Sequence, residues 1–133
     1  MISQILWIAL GSALGGVTRF ALSAFAAQRW GDNFPWGTLI VNITGSFLIG
    51  FFATLTQPDG RFAVGGTTRQ FVMTGIFGGY TTYSSFSLQT LLLAQEGEWL
   101  RAGSYATGTF VLCFVAVWLG HLCATYLHPM KGS

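Results

Sequence analysis

The side chains able to do chemistry in this chain are uncharged hydrogen-bond donors at helical spacing in otherwise apolar sequence. Thr38, Asn42 and Ser46 fall at i, i+4 and i+8, which places them on one face of a helix. Tyr105, Thr109 and Cys113 repeat that spacing, and Val117 and His121 continue the line. Between these stripes lies GIFGGYTTYSSFS, Gly75 to Ser87, where glycines and hydroxyls crowd into an apolar run. Tyr83 and Phe86 stand at i and i+3 and share a face, with Thr82, Ser84, Ser85 and Ser87 around them. An aromatic ring has a positive edge, so such a pair can face an anion, although the same spacing also serves ordinary packing. Asn42 reads either as a structural interhelical hydrogen bond or as a donor lining an ion path. Together these groups suit a small, strongly hydrated anion. They can replace its water without trapping it by full charge, a balance that conduction requires.

The charged residues exclude other chemistries. Asp32, Asp59, Glu96 and Glu98 all fall in predicted turns, so no carboxylate stands in a span to bind an organic cation or relay protons. Gly75, Gly78 and Gly79 do not match GxGxxG, and no strand precedes them. With no Ser-His-Asp set, metal cluster or phosphate loop in view, the sequence does not read as an enzyme. Cys113 and Cys123 show no CxxC spacing and read as small buried hydrophobes. His121 reads as a satisfied or interfacial histidine. Net charge is +2 with the six basic residues scattered singly, which leaves no patch for nucleic acid. Arg19 either snorkels to the nearer interface or faces a wet vestibule, where it would concentrate anions.

The elements that must position these groups are membrane spans. Hydrophobic residues make up 52% and charged residues 8% of the 133, against about 25% charged in a soluble domain. A spanning helix needs about 20 mostly apolar residues, and four segments qualify within a single transmembrane domain, 1–133: roughly 4–27, 35–56, 70–95 and 100–127. The N-terminal run has a signal-like flavour but lacks a basic start and stays apolar past Gly16, so it reads as a membrane helix. Pro35 suits a helix start, and Trp30, Trp36 and Trp99 fall at predicted ends, where interfacial indoles are expected. Gly11–Gly15 and Ser12–Gly16 permit close helix approach. The third helix is expected to be broken at Gly75–Thr82; at membrane depth such a break is tolerated where protein buries it or water lines it. Arg61, Arg69 and Lys131 on one side nearly balance Arg29, Arg101 and a reaching Arg19 on the other. Lys/Arg bias sets topology, so near balance suggests insertion both ways and an antiparallel homodimer, with a single, weakly signalled orientation as the other reading.

Gly78-Gly79-Tyr80-Thr81-Thr82-Tyr83-Ser84-Ser85-Phe86-Ser87 resembles the GGxTTFSTFS signature of the Fluc/CrcB fluoride channels. Gly37-Thr38-Leu39-Ile40-Val41-Asn42 is similar to that family's GTLxVN motif, and Gly15, Gly16 and Arg19 to its first-helix pattern. The resemblance runs over nearly the whole chain. It implies an all-α membrane protein: four transmembrane helices, the third broken, in an antiparallel dual-topology homodimer in the lipid bilayer. Its function would be passive export of fluoride across a bacterial plasma (inner) membrane, through two pores per dimer, relieving fluoride toxicity. The implied pathway runs through Asn42, Thr38, Tyr83, Phe86, Thr82, Ser84, Ser85, Tyr105, Thr109 and Cys113, with Arg19 in the vestibule. Gly78 and Thr81 match positions whose backbone carbonyls hold a structural sodium ion (Na+) on the dimer axis. Three residues depart from the pattern: Tyr83 replaces the usual Phe, Gln89 replaces a Glu that some members carry, and Val117 interrupts the polar track. A small four-helix multidrug exporter and a non-transporting membrane accessory subunit are the alternatives. The first would need a membrane-embedded carboxylate, and the second would show no ion flux.

Overall fold

Long apolar runs without internal proline become uninterrupted helices. The computed structural model describes residues 1–58 and 62–127. Asp59, Gly60, Arg61 and residues 128–133 lie outside the described residues, so two of the six charges in the balance above, Arg61 and Lys131, lie outside them too. Helix α1 runs Ile2–Trp30 and stops at Gly31, whose φ of 83° lets its N–H turn back to the Ala27 carbonyl. Helix α2, Trp36–Leu55, begins directly after Pro35. Helix α6 closes the chain as Trp99–Leu127. These three are long and apolar enough to cross a membrane; α2, at 20 residues, measures about 30 Å, the thickness of the hydrocarbon core.

The remaining helical column is built from two arms, neither long enough alone to cross a membrane. The first joins α3, Gly66–Arg69, a π-helical stretch, Gln70–Phe77, and α4, Gly78–Tyr80. Thr81 and Thr82 are extended, and α5, Tyr83–Gln95, forms the second arm. Every regular element among the described residues is helical. The surface is apolar where water would demand charge: Leu10, Leu14, Val17 and Phe20 on α1 and Phe110, Phe114 and Trp118 on α6 are exposed. This is a multi-pass, all-α membrane protein.

Glycines decide how the spans meet. In a bilayer, association rests on close packing rather than on expelling water. A Cβ at Gly11 would stand 2.6 Å from the Phe71 carbonyl oxygen, and one at Gly79 the same distance from that of Ser12. Gly15 is pressed against Ile76 and the Tyr80 nitrogen. The α1 face carrying Gly11, Ser12 and Gly15 is therefore the seat of the first arm, whereas Gly16 meets only the tip of Arg19. On the other side of the molecule, α2 packs extensively on α6. Gly50 abuts the Val117 carbonyl and Gly120 the Phe47 carbonyl.

The interruption is narrower than the expected Gly75–Thr82. Gly75 through Tyr80 remain helical, and only Thr81 and Thr82 leave the helix. A glycine costs a helix only about 1 kcal/mol, and Gly75 and Gly79 allow contact with α1 that a side chain would prevent. Arg69 fixes the start of this arm. Its Nη1 donates to the Thr56 carbonyl and Oγ1, both at 2.7 Å, and to the Ala53 carbonyl at 3.3 Å. A cation there offsets the exposed carbonyls at the C-terminus of α2.

Candidate functional site

At the break the backbone groups of Thr82 leave the helical pattern and find a side chain. The Thr82 N–H donates to Asn42 Oδ1 at 2.8 Å, and Asn42 Nδ2 donates to the Thr82 carbonyl at 3.0 Å. One amide, 8% exposed, thus clips α2 to the break through two bonds. The Thr82 hydroxyl accepts the Ser85 N–H at 3.2 Å and so caps α5. Arg19 Nε donates to the Gly79 carbonyl at 3.2 Å. In an unbroken helix the Thr82 N–H would serve Gly78 and the Ser85 N–H would serve Thr81. Both N–H groups are committed elsewhere, so the Gly78 and Thr81 carbonyls lack their helical donors.

Tyr80 and Thr44 brace the same region, a pair the sequence did not single out. The Thr44 hydroxyl donates to the Ile40 carbonyl, and the oxygens of Tyr80 and Thr44 are 2.8 Å apart. With the Thr44 proton committed, the Tyr80 phenol is the donor between them. Its ring lies over Gly45, where a Cβ would stand 3.1 Å from Tyr80 Cδ2. Bare backbone at position 45 is the local signal for this packing, visible only with the neighbour known.

Beside the break is a cavity of about 400 Å³. Asn42, Ser46, Thr81, Thr82, Thr109 and Cys113 give it polar groups, and Phe77, Tyr83, Phe86, Phe110 and Phe114 wall it. None of its lining side chains is charged. The Thr109 hydroxyl is its anomaly: Thr109 is 6% exposed, and its Oγ1 has no hydrogen-bond partner. A buried, unpaired hydroxyl costs stability, and Thr109 stands in the wall of this cavity.

The two polar stripes face each other. The Thr38 hydroxyl lies against the Tyr105 phenol, and Ser46 against the Cys113 thiol, with Asn42 and Thr109 between them on the cavity wall. Tyr105 is 1% exposed and donates to Gln89 Oε1 at 3.0 Å. Gln89 thus partners the stripe, although its residue type alone did not mark it. The Phe34 and Phe86 rings meet the Tyr105 ring near edge-on, with centroids 5.4 and 5.1 Å away. Thr38 and Gln89 also line a second cavity, about 280 Å³, at the end of the molecule where α1 turns into α2.

The sequence-predicted residues therefore divide. Asn42, Thr82, Tyr83, Phe86, Thr109, Cys113, Gly78 and Thr81 come together around the larger cavity. Thr38 and Tyr105 stand beyond it, towards the second cavity. Ser84 is exposed beside the break, with its Oγ 3.4 Å from that of Thr82, and Ser85 is drawn into the helix cap. Tyr83 is 80% exposed; its ring centroid is 5.7 Å from that of Phe86. Arg19 lies outside the larger cavity, on the Gly79 carbonyl.

Fold and site together define a multi-pass helical membrane protein whose broken span borders an uncharged, donor-lined cavity. The family model described as CrcB-like protein, Camphor Resistance (CrcB), matches residues 6–121, and the chain belongs to that family. Among its relatives, a protein of Opitutus terrae named "Fluoride-specific ion channel FluC" is 63% identical over 98% of this chain and 99% of its own. Proteins of the same name from Methylocella silvestris and Paramagnetospirillum magneticum are 55% and 54% identical, over 96% and 91% of this chain and 98% and 94% of their own.

Proposed function

We propose that this chain is a fluoride-selective channel that lets fluoride leave the cytoplasm passively through a bacterial inner membrane. The observation that carries the reading is a cavity without charge, with the unpaired Thr109 hydroxyl buried in its wall. Relatives named for fluoride over nearly the full chain support it. Asn42 keeps one N–H that the Thr82 bonds do not use. That N–H, the Thr109 hydroxyl and the edges of Phe86 and Tyr83 take over from the ion's water in turn. Ser46, Cys113, Thr38 and Tyr105 extend the path, and Thr82, Ser84 and Ser85 offer hydroxyls beside the break. Arg19 spends one of five donors on Gly79; its charge gathers anions at the vestibule. Liposomes loaded with potassium fluoride and treated with valinomycin are expected to release fluoride to an electrode and to retain chloride. Absence of fluoride release from well-inserted protein, or equal release of both halides, would overturn the proposal.

The working unit we propose is an antiparallel dimer with two pores. The exposed Tyr83 beside the cavity supports a second copy closing it. The Gly78 and Thr81 carbonyls, deprived of helical donors, fit a structural sodium ion between the copies; oxygen dipoles would offset its charge. A crystal structure of the dimer is expected to show a spherical density on the two-fold axis with short contacts to these carbonyls from both protomers. A parallel pair, or an axis without that density, would remove this part of the proposal.

A further inference from the structure

The polar line between α2 and α6 does not end where Val117 interrupts it. The two helices run parallel and in register, four residues at a time. Thr38 lies by Tyr105 and Ser46 by Cys113. Gly50 abuts Val117, and Thr54 Oγ1 then meets His121 Nδ1 at 2.7 Å. The Gly50–Val117 rung is a tight apolar contact with a polar rung on either side. Helix α6 has 29 residues and measures about 43 Å, against a hydrocarbon core of about 30 Å. His121 stands fewer than two turns before the end of α6 at Leu127. It is exposed, while Thr54 is buried. This rung therefore stands within a few ångströms of the edge of the hydrocarbon core, where a pathway leaving the narrow cavity would open to water.

The local chemistry suits an anion. Where the neutral ring carries its proton on Nε2, the Thr54 hydroxyl donates to Nδ1. When the ring takes a second proton, Nδ1–H donates back to Thr54 and Nε2–H remains a donor. The bond to Thr54 thus survives in both states, and protonation only adds charge. Helix α6 packs chiefly on α2 and α5. Helix α2 has no ionisable side chain, and α5 has only Tyr83, at the break. On α6 itself the other titratable groups are Arg101, Tyr105, Cys113, Cys123 and Tyr126. From the third span, Arg69 binds the Ala53 and Thr56 carbonyls on either side of Thr54. Among the described residues the carboxylates, Asp32, Glu96 and Glu98, belong to the opposite end, and Asp59 lies outside the described residues.

We infer that His121, held by Thr54, gathers anions at this mouth, and that its protonation raises fluoride conductance. The inference rests on the fluoride-channel reading. A unit charge about 7 Å from the path, in water, raises the local concentration of a monovalent anion about threefold. Histidine side chains change charge between about pH 5 and pH 8, so fluoride current across a planar bilayer is measured at about pH 6 and about pH 8. Neutral hydrogen fluoride carries no current and does not disturb the reading. The wild-type current is expected to be about threefold larger at the lower pH. His121→Gln should hold the smaller value at both, and His121→Arg the larger value at both; the Arg variant serves alone if the Gln variant fails to fold. A conducting wild type with no pH dependence overturns the inference and leaves the channel reading intact, as does a variant that keeps the rise. Folded protein that passes no fluoride current at either pH overturns the channel reading itself.

Discussion

Asn42→Asp is expected to cut fluoride flux at least a hundredfold. Two like charges about 4 Å apart, at an effective dielectric of about 20, repel by ~4 kcal/mol, which corresponds to roughly a thousandfold in rate. The substitution also breaks half of the clip at the break. A carboxylate still accepts the Thr82 N–H, but it cannot donate to the Thr82 carbonyl, which Asn42 Nδ2 now holds at 3.0 Å. An unpaired buried carbonyl costs about 1–3 kcal/mol, so some destabilisation accompanies the loss of flux. Asn42→Ala separates the two effects, since it loses the clip and adds no charge. Flux and thermal unfolding of both variants are measured side by side. If both lose stability and Asn42→Asp passes as much fluoride as Asn42→Ala, charge at this position is irrelevant, and Asn42 serves only to hold the break.

That dual use of one amide marks where sequence reasoning reached its limit. The stripe Thr38, Asn42, Ser46 was legible because side-chain periodicity on a helix is fixed by geometry. So was the stripe Tyr105, Thr109, Cys113. Their pairing in register was not, because register follows from how Gly50 and Gly120 let two backbones touch, and these glycines look ordinary in a span. Gly75 and Gly79 lie in the stretch where the sequence predicts the helix to break. They are its contact surface with α1, and the chain opens two residues later. A helix breaks where its N–H groups find better partners, and the partner of Thr82 lies 40 residues away in sequence. Arg19 is the same case: its charge was visible, but its bond to Gly79 spans 60 residues. The three uninterrupted spans needed no such knowledge, since hydrophobic length alone sets them.

Thr109→Val tests whether the cavity serves an ion or only packing, because the two readings move stability and flux differently. Valine keeps the shape and removes the hydroxyl. In a purely structural site, deleting a buried oxygen that has no partner is neutral or stabilising, by about 1–2 kcal/mol. A passing anion, however, loses a hydrogen bond to a charged acceptor, worth about 1.5–3 kcal/mol, which is roughly ten- to hundredfold in rate. The expected result is a melting temperature equal to or above wild type, with fluoride flux at least about tenfold lower. Thr109→Ser, which restores the hydroxyl and leaves a methyl-sized gap, should recover most of the flux while losing some stability. A valine variant with undiminished flux would make Thr109 a packing residue and remove the observation on which the channel reading rests most heavily. A valine variant that melts well below wild type would mean that the hydroxyl has a structural partner, and the lining of the cavity would have to be assigned anew. The combination that supports conduction is gained or unchanged stability with lost flux, because a group that the fold does without is then one that the ion uses.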